Sequence, residues 1–262
     1  HIFDRVDSAN DLDRLQDDLS KLEEWSNLWQ MEFNASKCKA LHFGKNNPEH
    51  SYKINAVALE TVTSERDLGV IISQNLKPEK HIDEIVLRAN RILGLIYRSM
   101  ENKSKNVIIP LYCSLVRPHL EYCVQAWRPY FAKDIDKIEK VQKRAIRMIH
   151  GLEGLTYTTK LAEVGLDTLE KRRLRNDMVE VYKLLANQDN IGSSFFEYDE
   201  NIMNIRYHNR KLKGKPFKTE LRRNAFSQRI VNTWNNLPKN VVNSLTLDSF
   251  KKLLTKCLRN LE

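Results

Sequence analysis

The sequence predicts a chain in two parts: an α+β N-terminal portion of one helix plus about four short, mostly antiparallel strands, followed by a mainly α-helical body. Three observations carry this reading. Apolar residues before position 30 recur at helical steps, those between 37 and 73 fall in short β-rich runs, and from Pro78 onward the three- and four-residue spacing returns. The 262 residues are 41% hydrophobic and 8% aromatic, with 8 Gly and 7 Pro, which excludes collagen-like, mucin-like and small disulfide-scaffold classes. Val107 to Val116, the densest apolar stretch, is broken by Pro110 and Ser114 and falls short of the roughly 18 apolar residues a membrane span needs. A soluble protein is expected.

The elements follow in order. Leu12, Leu15, Leu19, Leu22 and Trp29 form one stripe, widened by Trp25 and Leu28, and Ser8 with Asp11 marks the start of a helix that should end near Gln30. Lys37 to Phe43 reads as a strand stopped by Gly44. Tyr52 to Asn55 and Val57 to Thr61 can pair as a hairpin, although its turn lacks Gly, and Leu68 to Ile72 reads as an apolar strand buried on both faces. Helices follow: Pro78 to Met100, with Ile82, Ile85, Val86, Ala89, Leu93 and Ile96 on one face; a segment from Ser104 to Trp127 that Pro110 and Pro118 must kink or split; and one opened by Asp134, with Ile135, Ile138, Val141, Ala145 and Ile149 inside and Gly151 as its stop. Thr158 to Val164, Asp167 to Leu185, Thr219 to Trp234 and Leu247 to Leu261 complete the helices. Residues 188 to 215 read as loop, with Gly192, Ser193 and Ser194 as a linker.

The formal charge is +9, unevenly spread. Residues 1 to 32 hold nine acids against Arg5, Arg14 and Lys21, a net −6 that leaves +15 for the rest. Residues 201 to 229 hold nine bases and the single acid Glu220, interleaved with Tyr207, Phe217 and Phe226, rings able to stack on bases. A solvated face is the plainer account of such a run, and the aromatic residues favour a nucleic acid over it. Cys38, Cys113, Cys123 and Cys257 lack the paired spacing of a structural zinc site and read as reduced thiols, which points to an intracellular protein, nuclear or cytoplasmic. Walker, Rossmann, HExxH and GxSxG motifs are absent. Asp17 and Asp18 are adjacent on a helix and diverge by about 100°, so they do not form a metal pair.

The order of longer words is more specific. Leu15-Gln-Asp-Asp-Leu19, then Trp25-Ser-Asn-Leu-Trp29-Gln-Met31-Glu-Phe33-Asn34-Ala-Ser-Lys37-Cys38-Lys39, then His42-Phe-Gly44, resembles the reverse transcriptases of LINE-type (non-LTR) retrotransposons of the jockey and chicken-repeat kind. Asp67-Leu-Gly-Val-Ile-Ile-Ser73, Leu115-Val-Arg-Pro-His-Leu-Glu-Tyr-Cys123 with Trp127, Lys140-Val-Gln-Lys-Arg-Ala145 and Phe226-Ser-Gln-Arg-Ile-Val-Asn-Thr-Trp-Asn-Asn-Leu-Pro238 agree with it, so the resemblance runs along essentially the whole chain.

The resemblance implies an RNA-directed DNA polymerase that grips an RNA template and DNA primer. Residues 1–75 would be the end of the palm with a primer-grip-like hairpin, 76–151 a helical thumb, 152–190 a helical connector and 191–262 a basic helical C-terminal region. The paired-aspartate box that binds the catalytic metals would precede His1, so the chain is expected to be a fragment, inert alone and partnered by the rest of the palm and fingers. Its cofactor expectation is none in this chain and Mg for the intact parent. Lys37, with Lys39 as substitute, would order the nucleotide or act as general acid, against the plainer reading of a lysine at a strand edge.

Gly69 would allow a close backbone approach to the primer. Arg88 and Arg91, with Lys140, Lys143, Arg144 and Arg147, would touch phosphates, and so would Lys171, Arg172 and Arg173. Arg210, Lys211 and Lys213, with Arg222 and Arg223, would add RNA or target-DNA contacts. Two other readings stay open: a decayed or co-opted copy acting as a non-enzymatic RNA- or DNA-binding module, and a helical scaffold, which leaves the charge asymmetry unexplained.

Overall fold

A computed structural model describes residues 2–44, 46–186, 195–199, 208 and 210–259. The expected linker at Gly192 to Ser194, and Arg206 and Tyr207 of the basic run, lie outside the described residues. The chain forms two compact units, His1–Lys80 and His81–Glu262. Among the described residues no helix is long and apolar enough to cross a membrane.

In the first unit, helix α1 (Ala9–Leu28) starts where expected because the Ser8 N–H and hydroxyl both donate to Asp11 Oδ2, at 2.8 and 2.9 Å. Its stripe is only half used. Leu19 is buried with Ala40, Tyr52 and Ile54, and Leu12 and Leu15 pack beside them, whereas Trp25, Leu28 and Trp29 are exposed. Six short strands follow: β1 (Lys39–Leu41), β2 (Lys53–Ile54), β3 (Val57–Ala58), β4 (Glu60–Val62), β5 (Ser64–Asp67) and β6 (Val70–Ser73), paired as three two-stranded sheets.

The β2–β3 hairpin turns through Asn55 and Ala56, both at positive φ (50° and 59°), as a tight two-residue turn requires. The second hairpin, β5–β6, turns through Leu68 and Gly69 (φ 45° and 88°). This corrects the expected strand at its start: Leu68 is a turn residue, 83% exposed, and the buried segment begins at Val70. β1 and β4 pair in parallel, with Lys39 opposite Glu60 and an ion pair between the two side chains.

The second unit is helical. α2 (Glu79–Ser99) buries Ile82, Ile85, Ala89, Leu93 and Ile96, the expected face, and each such Ile or Leu side chain contributes about 1.5–3 kcal/mol on full burial. α3 (Lys105–Leu111) contains Pro110. The chain passes the proline by widening into a π-type segment, Tyr112–Val116, before α4 (Arg117–Glu121), whose first turn holds Pro118 where no N–H is required. Cys123 adopts a left-handed conformation (φ 50°) and separates α4 from α5 (Val124–Trp127). α6 (Ala132–Arg147) buries Ile138, Val141 and Ala145; α7 (Tyr157–Val164) and α8 (Leu169–Ala186) follow.

The expected helix from Thr219 to Trp234 is three short ones: α9 (Glu220–Asn224), α10 (Phe226–Arg229) and α11 (Val231–Asn235). Ala225, at ψ 144°, breaks the first from the second, and the Asn224 carbonyl freed there accepts a hydrogen bond from Arg229 Nη1 at 3.1 Å. α12 (Lys239–Val242) and α13 (Leu247–Arg259) close the chain, and α8, α11, α12 and α13 share one core around Met178, Val181, Trp234 and Phe250.

Candidate nucleic-acid interface

The sequence of α6 separates into two faces. Ile138, Val141 and Ala145 point inward, while Lys137, Lys140, Arg144 and Arg147 recur at three- and four-residue steps along the outside. Ten residues of helix rise about 15 Å, so the stripe matches the rise of about four nucleotides of one strand. With Lys143, these side chains line a groove of about 510 Å³ whose other wall is Val86 and Asn90 of α2. Val86 and Val141 give its lining an apolar part, beside five cations.

Carboxylates hold part of that charge. Lys137 Nζ lies 2.7 Å from Asp83 and 3.6 Å from the buried Asp134, and Lys140 and Lys143 share Asp136 at 2.7 and 3.5 Å. Those lysines, above all Lys140, hold the Asp136 carboxyl below the usual carboxylate range. Lys143 also sits 5.3 Å from the centre of the Tyr157 ring. Arg144 differs: its Nη1–H donates to the neutral Asn90 Oδ1 at 3.0 Å. Arg147 is exposed and makes no ion pair among the described residues. Both arginines lie in the last turn of α6, where they also offset the negative end of the helix.

The other expected contacts are dispersed. Arg88 and Arg91 are exposed on α2 but do not line the groove. The Lys171 to Arg175 cluster is mostly structural: Arg172 is bidentate to Glu121, and Arg175 Nε donates to Thr255 Oγ1 at 3.1 Å. Arg173 corrects the expectation of a phosphate contact. It is 1% exposed, its guanidinium is pushed down to about 10 by burial, and a phosphate on the surface cannot reach it.

Arg210, Lys213, Arg222 and Arg223 are exposed and Lys211 is half-buried; Arg223 pairs with Glu220 at 3.3 Å. The Leu212 backbone is held by the Asn235 side-chain amide at 2.8 and 2.9 Å. Of the nearby aromatic residues described, Phe217 is 50% exposed, whereas Phe226 packs against Phe195 and Phe196. Lys37 ends a one-turn 3₁₀ segment, Ala35–Lys37, rather than lying on the strand, because the Asn34 side chain accepts from Ser36 N and turns the chain there. It is exposed and has no ion-pair partner among the described residues, whereas Lys39 is engaged by Glu60.

Sequence reasoning missed Lys137 and Asn90, which take their place in the groove only through the packing of α2 on α6. It also missed the polar interior that holds the helices in position. Asp177 is fully buried and accepts from Arg128 Nη1 at 2.7 Å and from Arg229 Nη2 at 2.9 Å, joining α8 to the α5 end and to α10. Glu139 accepts from the Leu169 N–H at 3.0 Å, capping α8, and from the Tyr157 hydroxyl, whose ionisation burial and this carboxylate both push up. Among the described residues no group of three or more His, Cys, Asp or Glu side chains could hold a metal ion.

No protein-family model and no solved structure matches the chain. Two curated proteins are similar to it. The probable RNA-directed DNA polymerase from transposon X-element of Drosophila melanogaster is 25% identical over 154 residues, 57% of this chain and 17% of that protein. The RNA-directed DNA polymerase from mobile element jockey of Drosophila funebris is 27% identical over 148 residues, 53% of this chain and 16% of that protein. The chain thus spans about one sixth of the length of the curated relatives it matches. Over rather more than half its own length it bears a distant similarity to the reverse transcriptases of X-element and jockey, non-LTR retrotransposons.

Proposed function

We propose that the chain forms part of the reverse transcriptase of a non-LTR retrotransposon and supplies surfaces that hold the RNA template and DNA primer. The observation that carries this reading is the α2–α6 groove, where a helical stripe of cations, two of them without a carboxylate partner among the described residues, lies in a chain similar to two RNA-directed DNA polymerases. In this reading residues 1–75 are the end of the palm and the helices from 76 to 151 form the thumb. The rest of the polymerase is its partner. Lys140, Lys143, Arg144 and Arg147 run along one backbone strand, with Arg88 and Arg91 on its flank. Contacts of this kind fix position without reading base sequence.

Lys37 meets the nucleotide or its leaving pyrophosphate, a role favoured over Lys39 by the ion pair that occupies Lys39. Gly69, at the tip of a hairpin, lets the primer strand approach the backbone. Arg210, Lys211, Lys213, Arg222 and Arg223 add contacts to RNA or target DNA, beside Phe217.

The test is a filter-binding titration of the full chain with a 16-base-pair RNA–DNA hybrid across a salt series. Neutralising about three phosphates predicts a slope of log K against log salt of about −2 to −3, and K140A should make it shallower by about 0.7 to 0.9, R147A by at most that. A flat salt response would reject the reading.

A further inference from the structure

Within the groove, Asn90 and Arg144 form a unit that charge counting does not detect. Arginine only donates hydrogen bonds, so the 3.0 Å contact from Arg144 Nη1 sets the Asn90 amide with its oxygen toward the guanidinium and its nitrogen away. The two N–H donors of that nitrogen have no partner among the described residues, and Asn90 lines the same groove as Arg144 and Arg147. The three side chains therefore offer donors only. An unesterified phosphate oxygen offers acceptors only, which is the complementary pattern. Asp83 and Asp136 engage Lys137, Lys140 and Lys143, and neither pairs with these arginines. Asparagine is also a poor choice for the middle of a helix, where its side chain competes for backbone hydrogen bonds, so α2 carries it at a small cost in helix propensity.

We propose that Asn90, Arg144 and Arg147 make one seat for a backbone phosphate of the bound nucleic acid, with Asn90 as the positioning residue that holds Arg144 in its binding geometry. This rests on the reading of the groove as the nucleic-acid surface. Lys140 and Lys143, which share Asp136, lie along the same strand and add charge attraction, whereas the seat supplies directed hydrogen bonds.

Asn90→Ala is a discriminating variant because it removes no charge and improves helix propensity, so misfolding does not account for lost binding. Fluorescence anisotropy of the full chain with a labelled 16-base-pair RNA–DNA hybrid reads affinity and salt slope together. For N90A an affinity loss of about three- to tenfold is expected with the slope unchanged, the cost of leaving one long side chain to be ordered on binding. R144K should keep the slope and lose affinity similarly, since an ammonium lacks the forked donors. R144A should lose affinity and at most about 0.7 to 0.9 of the slope, because Arg147 stays on the same phosphate. Adding N90A to R144A should cost less than N90A alone, because the positioning role is gone and only the amide's own contact to the phosphate is lost.

Wild-type affinity for N90A, or full additivity of N90A and R144A, would overturn the proposal while weakened R144A and R147A binding still supported the groove. Wild-type binding by R144A and R147A alike would overturn both.

Discussion

Asp177 is fully buried between two guanidinium groups, Arg128 at 2.7 Å and Arg229 at 2.9 Å, and Arg229 also donates to the carbonyls of Gln125 and Asn224 at 3.2 and 3.1 Å. Removing the carboxylate leaves two largely desolvated cations without their counter-charge. Asp177→Ala is therefore expected to cost about 3–5 kcal/mol, read as a lowered urea midpoint of the helical unit. His208 makes a pH-dependent contribution. It is 1% exposed, its Nδ1 accepts from Arg210 N at 3.1 Å, and Nε2 lies 3.1 Å from the Trp234 carbonyl, which assigns the neutral ring with its proton on Nε2.

Burial first, then the charges of Lys211 and Arg210, hold this histidine below its ordinary value of 6.5 against the opposing pull of the Trp234 carbonyl. The unfolded chain then binds the proton more readily than the folded one. Stability from this group is present above pH 6.5 and falls as the pH drops through 6.5 toward the lower folded value. Thermal unfolding between pH 7.5 and 5.5 should show that loss, and His208→Gln should flatten it.

At the scale of elements, what was legible in the sequence depended on how far the deciding contact lies along the chain. The apolar stripes of α2 and α6 repeat within one helix, so periodicity alone located both helices and most of their buried residues. β5 reads Ser-Glu-Arg-Asp, without an apolar face, and exists because β6 pairs with it. β4 lies parallel to β1, a partnership between Glu60 and Lys39 that no local pattern encodes.

The α9–α11 region has helical spacing throughout, yet Arg229 turns inward to Asp177, 52 positions away, and the backbone breaks at Ala225 to allow it. The candidate site was legible in the same proportion. The cations of α6 were visible as a stripe, whereas Asn90 and Lys137 acquired meaning only when α2 packed alongside. One turn offers a direct test. Ala56 sits at φ 59°, which costs a side-chain-bearing residue about 1–2 kcal/mol. Ala56→Gly should stabilise the hairpin by about 1 kcal/mol, seen as slower exchange of the Leu59 amide, which donates to Tyr52 O at 2.8 Å.

Over the whole molecule, the two units differ in how they are held. The first buries a small cluster around Leu19, Ala40, Tyr52 and Ile54 and leaves Trp25, Leu28, Trp29 and Met31 exposed. The second has continuous cores with Trp234, Phe250, Ile82 and Leu93 almost wholly buried. Hydrogen exchange should therefore show α1 and its strands opening at lower urea than α2, α6 and α8, in two separate steps. Charge divides along the same lines, with a net −4 over residues 1 to 80 and +13 over residues 81 to 262.

That division gives the most direct measurement of nucleic-acid holding by the helical unit: lysine acetylation of the full chain, read by mass spectrometry with and without a 16-base-pair RNA–DNA hybrid. Lys140 and Lys143, on the groove, are expected to be protected by the hybrid, while Lys21 on the acidic α1 is modified equally in both conditions. Equal modification of Lys140 and Lys143 with and without saturating hybrid would contradict the groove as the nucleic-acid surface.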